Sequence, residues 1–171
     1  TASDSASVAL EDGGTPDCGA AFDGTYNELM IKMSNVQTAS DDVILRFTFE
    51  FGGSYEGDTY QYHMAKMSSG TASYAADRSD DQSNLEWTKN SGTGSGESLQ
   101  ATMYFSAPDG TDNTKGCYWI GSMYTKTPST QVILGAGYRT EHQQAFTGIK
   151  FDASSGNIEK GVFTIYGLTK A

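Results

Sequence analysis

The residues best suited to chemistry are the two histidines, His63 and His142, and whichever of the 21 acidic side chains stand close enough to pair. His63 lies beside Tyr62 and Met64 on an alternating segment, where a histidine is more simply a structural or surface residue than a base. His142 belongs to a different element. No Gly-x-Ser-x-Gly, His-Glu-x-x-His or phosphate-cradling glycine loop accompanies either one. A glycosidase needs two carboxylates facing each other across the scissile bond, and the sequence gives no reason to select a pair. The residues therefore predict no enzyme, because activity has to be argued from a site. Oxygen ligands for calcium could come from Asp41-Asp42, from Asp80-Asp81 or from the run Asp109-Gly110-Thr111-Asp112-Asn113. None has the order of an EF-hand loop, and Asp and Asn favour turns for backbone reasons alone, so the turn reading stands first and no cofactor or metal is expected. Cys18 and Cys117 show no Cys-x-x-Cys or Cys/His spacing, which argues against a thiolate metal site.

Aromatic residues say more. Tyr55, Tyr60, Tyr62, Tyr74 and Trp87 fall in or beside the middle of the chain. Tyr60 and Tyr62 share one face with Met64 and are assigned to the core. Tyr74 and Trp87 are read as contact residues, since such rings supply rigid, half-apolar area whose polar tip stays wet. Asp77 and Arg78, with Asp80 and Asp81, would orient a partner through polar contacts.

The elements that must position these residues are strands. Val43, Leu45, Phe47, Phe49 and Phe51 alternate with Ile44, Arg46, Thr48 and Glu50 in strict period two and are expected in the core together with Leu99, Met103 and Phe105. Similar alternation predicts strands over 7–10, 28–33, 60–66, 97–106, 116–125 and 131–138, with a short one inside 84–89. Glycines 135 and 137 predict a bulge or a close backbone approach. One helical turn over 139–144 is the most helix supported. The closing hairpin has Thr147, Ile149 and Phe151 on one arm and residues 162–168 on the other, around a Ser154-Ser155-Gly156-Asn157 turn. Its last strand is apolar on both sides: Phe163 and Ile165 point one way, Val162, Thr164, Tyr166 and Leu168 the other. Such a strand belongs inside a sheet or between subunits, and Val162, Tyr166 and Leu168 become the candidate oligomer contacts. Between 67 and 96 the alternation is lost among Ser, Gly and Asp clusters, so a long irregular insertion is expected there and is the candidate exposed tip.

Counting the segments gives an all-β chain of about eight to ten strands, at the spacing of a single antiparallel β-sandwich with jelly-roll character over 1–171. No apolar run approaches the length of a membrane-spanning helix. Thr1 in place of an initiator Met leads us to expect a fragment or a processed product. The formal net charge is −10, and residues 1–60 hold eleven acidic side chains against Lys32 and Arg46. An acidic surface repels phosphate backbones and anionic headgroups, so neither nucleic acid nor membrane is an expected partner.

Both ends of the chain resemble one family. Gly148-Ile149-Lys150-Phe151, the turn Ser154-Ser155-Gly156-Asn157-Ile158, Gly161 and the ending Tyr166-Gly167-Leu168 resemble the C-terminal domains of tailed-phage virion proteins, especially tail-fibre and related proteins of marine phages. The openings Ala2-Ser3-Asp4-Ser5-Ala6-Ser7 and Tyr26-Asn27-Glu28 fit the same pattern. The resemblance implies a jelly-roll-like sandwich, a homotrimer, a place in the virion among its other structural proteins, and contact with a host-surface glycan or protein. It also implies assembly in a reducing cytoplasm, where Cys117 is a small buried hydrophobe sooner than half of a disulfide. Three readings follow: a non-enzymatic tail-fibre or appendage domain first, a capsid decoration or head-fibre protein second, a carbohydrate-binding module third.

Overall fold

A computed structural model describes residues 2–5, 7–11, 21–55, 57, 59–69, 73–88, 91–94, 96–106, 115–125, 129–139 and 145–169, with the backbone alone at 2–5, 11, 73–75, 80 and 81. Two antiparallel sheets pack face to face as a β-sandwich, and no helix occurs among the described residues. In chain order the strands are β1 (Ala2–Ser5), β2 (Ser7–Glu11), β3 (Glu28–Thr38), β4 (Leu45–Phe51), β5 (Ser54–Tyr55), β6 (Tyr60–Ser68), β7 (Ser73–Gln82), β8 (Leu85–Glu86), β9 (Leu99–Ser106), β10 (Gly116–Tyr124), β11 (Thr130–Arg139), β12 (Gly148–Ala153) and β13 (Ile158–Leu168). The larger sheet has eight strands in the order β1-β13-β3-β9-β10-β11-β6-β7; the smaller runs β2-β12-β4-β5, with β8 also paired to β4. There are more strands than the sequence suggests because β1 and β5 span only four and two residues, too few to establish a period, and because β7 lies in the segment read as irregular.

The strongest alternation does what it predicts. Phe47 and Phe49 are fully buried, and Val43, Leu45, Phe51, Leu99, Met103 and Phe105 join them in one core. Phe47 alone meets the rings of Phe49, Phe105, Trp119 and Phe151 at centroid distances of 5.8–6.1 Å. Three of these pairs are near-perpendicular, which sets ring edges against ring faces as the aromatic quadrupole favours. Burial of each such ring contributes about 1.5–3 kcal/mol, so this layer dominates the sandwich. The sheets are also pinned by polar contacts: the Phe49 amide donates to the Tyr60 hydroxyl at 2.9 Å, and the Tyr62 hydroxyl donates to Glu86 at 2.5 Å. Burial first, and then the Glu86 carboxylate, push the Tyr62 phenol above its ordinary range; the neutral donor is the form this contact requires.

Glycines 135 and 137 mark a close approach and no bulge. β11 pairs in continuous register with both β10 and β6. A Cβ on Gly135 would lie 2.3 Å from the Trp119 ring, and one on Gly137 would lie 2.3 Å from Leu85. The inner face of β11 is thus the bed on which Trp119 and Leu85 rest.

The segment 67–96 corrects the sequence reading, since it is largely ordered structure. β7 is a ten-residue edge strand paired along β6, β8 pairs with β4, and the amide of Ser91 donates to Val43 O at 3.0 Å. Thr93 donates to Asp41 through amide and hydroxyl at 2.9 and 3.0 Å, while Gln37 reaches the carbonyls of Thr93 and Gly94 at 2.7 and 2.8 Å. The sequence hid this because edge strands carry small and charged residues that blunt pairing with other chains. β7 also lies at the sheet edge opposite β1, whose partner is the closing strand β13. Residues 140–144, where a helical turn was expected, lie outside the described residues, and Arg139 ends β11.

A candidate contact face on the larger sheet

Strand periodicity places alternate residues of β3, β6, β7, β9, β10, β11 and β13 on the outward face of the eight-stranded sheet. Ten large hydrophobic residues are exposed among the described residues, and all ten stand on this face: Met67, Tyr118, Ile120, Tyr124, Val132, Leu134, Tyr138, Val162, Tyr166 and Leu168. Single exposed apolar residues are ordinary; a continuous sheet of them is not.

The register resolves the face into rows. One row runs Arg78, His63, Ala136, Tyr118, Tyr104, Met30, Tyr166 across seven strands. The next runs Ala76, Ala65, Leu134, Ile120, Thr102, Lys32, Thr164. Tyr104 and Tyr118 are directly opposed on neighbouring strands, with ring centroids 4.8 Å apart and planes within 13°. That separation equals the spacing of adjacent strands, about 4.7–4.9 Å, so the two rings stand on edge like pages. Two residues along β11 from Ala136, the Tyr138 hydroxyl donates to Gln61 on β6 at 2.5 Å.

Small residues open hollows in this surface. The first, of about 640 Å³, is floored by Ala136, Ala65 and Ala76 and walled by Tyr118, Leu134, His63 and Arg78. A second, of about 330 Å³, lies over Gly121 and Ala101 between Lys32, Ile120 and Val132. A third, of about 270 Å³, lies between Glu28, Tyr104 and Tyr118.

Of the residues singled out from sequence, Asp77 and Arg78 are both at the first hollow, on strand β7 and not on a loop. Arg78 is exposed and opposes His63, while Asp77 is half-buried and opposes Met64. Tyr74 pairs with Met67 through the backbone; its side chain, with those of Asp80 and Asp81, lies outside the described residues. Trp87 is a correction. It is 1% exposed, its amide donates to Leu45 O at 3.1 Å, and its ring meets Phe151 at 6.1 Å, so it is core and offers no contact area. Following directly on β8, it is turned inward between the sheets. Val162, Tyr166 and Leu168 are 45%, 45% and 37% exposed on the outward face of β13.

Sequence reasoning missed Tyr104, Tyr118, Tyr138, Ile120 and Leu134. The signal was present: β10 and β11 are apolar on both faces, the feature used to single out the closing strand and not followed into the strands beside it. Of the candidate calcium residues, Asp41 is occupied in holding Thr93, and 109–113 lie outside the described residues. Among the described residues no three His, Cys, Asp or Glu side chains gather as a metal site. Cys117 is a buried free thiol that donates to Gly137 O at 3.6 Å, with its pKa driven upward by burial; Cys18 lies outside the described residues. Comparison with protein-family models, curated proteins and solved structures yields no match to this chain.

Proposed function

We propose that this chain is a non-enzymatic structural domain of a tailed-phage virion, carried on a tail fibre or related appendage. In this reading it meets copies of itself, as a homotrimer, through the outward face of β13 and its neighbours, and turns the remainder of that face to the host surface. The observation that carries the reading is the gathering of all ten exposed large hydrophobics on one sheet face. Eight strands at about 4.8 Å by nine residues at about 3.3 Å give a face of roughly 1,100 Å², against about 800 Å² per partner in a stable interface. The chain ends that resemble virion proteins, Gly148 to Phe151 and Tyr166 to Leu168, lie on β12 and β13. Val162, Tyr166 and Leu168 therefore combine the family-like ending with uncovered apolar area.

Light scattering on the purified chain at micromolar concentration tests it. A trimer is expected, dissociated by the double substitution Tyr166→Glu and Leu168→Glu; a monomeric wild-type chain overturns the assembly.

A further inference from the structure

We infer that the hollow over Ala136 is a glycan-binding slot, which grips one pyranose ring between Tyr118 and His63 and lets the chain continue over Ala65 and Ala76 toward the β7 edge. The inference rests on the reading of this face as a host-contact surface and gives that contact a chemistry.

The slot follows from one small residue in a row of large ones. Because Tyr104 and Tyr118 stack on edge, one face of the Tyr118 ring is covered by Tyr104. Its other face looks along the row over Ala136, whose side chain is a single methyl, to His63 on the strand beyond. Two strand spacings make about 9.6 Å between the strands that carry Tyr118 and His63. A six-membered ring in van der Waals contact with both walls needs about 7–8 Å, twice the usual 3.5–4.0 Å. Along the strand one end of the slot is walled by Leu134, an outward neighbour of Ala136 on β11.

The lining selects the occupant. Tyr118 is 54% exposed and braced by Tyr104, so its free ring face is held ready for the C–H face of a sugar at little entropic cost. His63 and Arg78 line the hollow with groups that donate to or accept from hydroxyls. An apolar partner would leave these groups unpaired, and a flat protein surface would leave the slot empty. At about 640 Å³ the hollow has room for a ring and its neighbours in the chain, within the span of about 300–1,000 Å³ common to ligand sites. Its floor of Ala136, Ala65 and Ala76 crosses three strands to the edge of the sheet, the shape of a trough that receives a linear chain from the side.

The test uses the full chain as purified, on a panel of immobilised hexopyranose glycans, neutral and acidic, with oligomeric mass measured on the same samples. The wild type should be retained by at least one glycan class. Ala136→Leu, which fills the floor, and Tyr118→Ala, which removes a wall, should each weaken retention on the order of tenfold. Ser155→Ala, in the exposed turn between β12 and β13, should leave it unchanged. Retention by no member at millimolar glycan, or equal retention by Ala136→Leu and Tyr118→Ala, overturns the slot. So does a change of oligomeric mass in Ala136→Leu, which would make the hollow a contact between copies. A monomer that still binds through the trough supports the slot and overturns only the proposed trimer.

Discussion

The two outward faces of the sandwich are built on the same scaffold and treat water in opposite ways. On the smaller sheet, β4 turns out Arg46 and Glu50 on either side of the buried Thr48, and β12 turns out Lys150 and Asp152. Those charges are organised: Arg46 pairs with Asp152 at 2.8 Å and with Ala153 O at 3.1 Å, Thr147 donates to Glu50 at 3.1 Å, and Lys150 lies 4.7 Å over the Tyr55 ring. On the larger sheet the equivalent positions hold Tyr118, Ile120, Leu134 and Tyr166, with the ionisable Arg78 and His63 toward the β7 margin and Lys32 on β3. A strand needs only one apolar face to join a sandwich. The smaller sheet stops there. The larger carries a second apolar layer that stays exposed in this chain, and that layer is what motivates the proposed partner contact.

The sharpest way to break this comparison is to truncate one ring in the core between the sheets and one on the outward face of the larger sheet. Phe47→Ala removes a fully buried ring that meets four others, and is expected to cost about 3–5 kcal/mol in urea denaturation. Tyr118→Ala on the outward face should cost less than about 1 kcal/mol. Comparable losses would mean that the outward layer belongs to the fold after all.

Next in size is Gly135→Ala, which sets a methyl 2.3 Å from the Trp119 ring and is expected to cost about 1–3 kcal/mol through overpacking. Ala136→Ser, the next residue on the opposite face, should be near neutral. The two thermal midpoints measure how sharply the inner and outer faces of one strand differ.

Cys117 gives a pH-dependent check on the inner face. Burial raises its folded pKa above the unfolded value of about 8.5. Its contribution to stability is thus fully present below that value and is lost as pH rises through the folded pKa, because the unfolded chain ionises first. Chemical denaturation from pH 7 to 10 should show stability falling above about pH 8.5, less so in Cys117→Ala. A wild type and variant with the same pH profile would place the thiol in water.

How much of this was legible from sequence depended on which face a residue served. Val43 to Phe51 declared itself because its period is strict and one side is polar. β7 did not, because Ala75, Ala76, Asp77 and Arg78 have the composition of an exposed edge, which reads as a loop. Trp87 was misplaced because a two-residue strand has no period to show which way the next side chain turns. Asp77 and Arg78 were named and do reach the hollow, but their partners His63, Ala136 and Tyr118 come from β6, β11 and β10. Only the register of the sheet brings those residues into one row, and register is a tertiary property that no local window contains.

The smallest expected effect on folding belongs to the outward layer itself. Ile120 and Val132 are 52% and 38% exposed and flank the hollow over Gly121. Replacing both with Thr keeps β-branching and strand propensity while removing apolar area from the surface. Surface changes of this kind usually stay within about 0.5 kcal/mol, so the denaturation midpoint of the isolated chain should hold. Association should not: if the face is covered by a partner, loss of apolar area at its centre weakens that contact, because interface energy concentrates in the fully desolvated middle. Sedimentation of wild type and double variant across a concentration series separates the two quantities. Unchanged stability with weakened association assigns the layer to a partner, while lost stability with unchanged association assigns it to the fold.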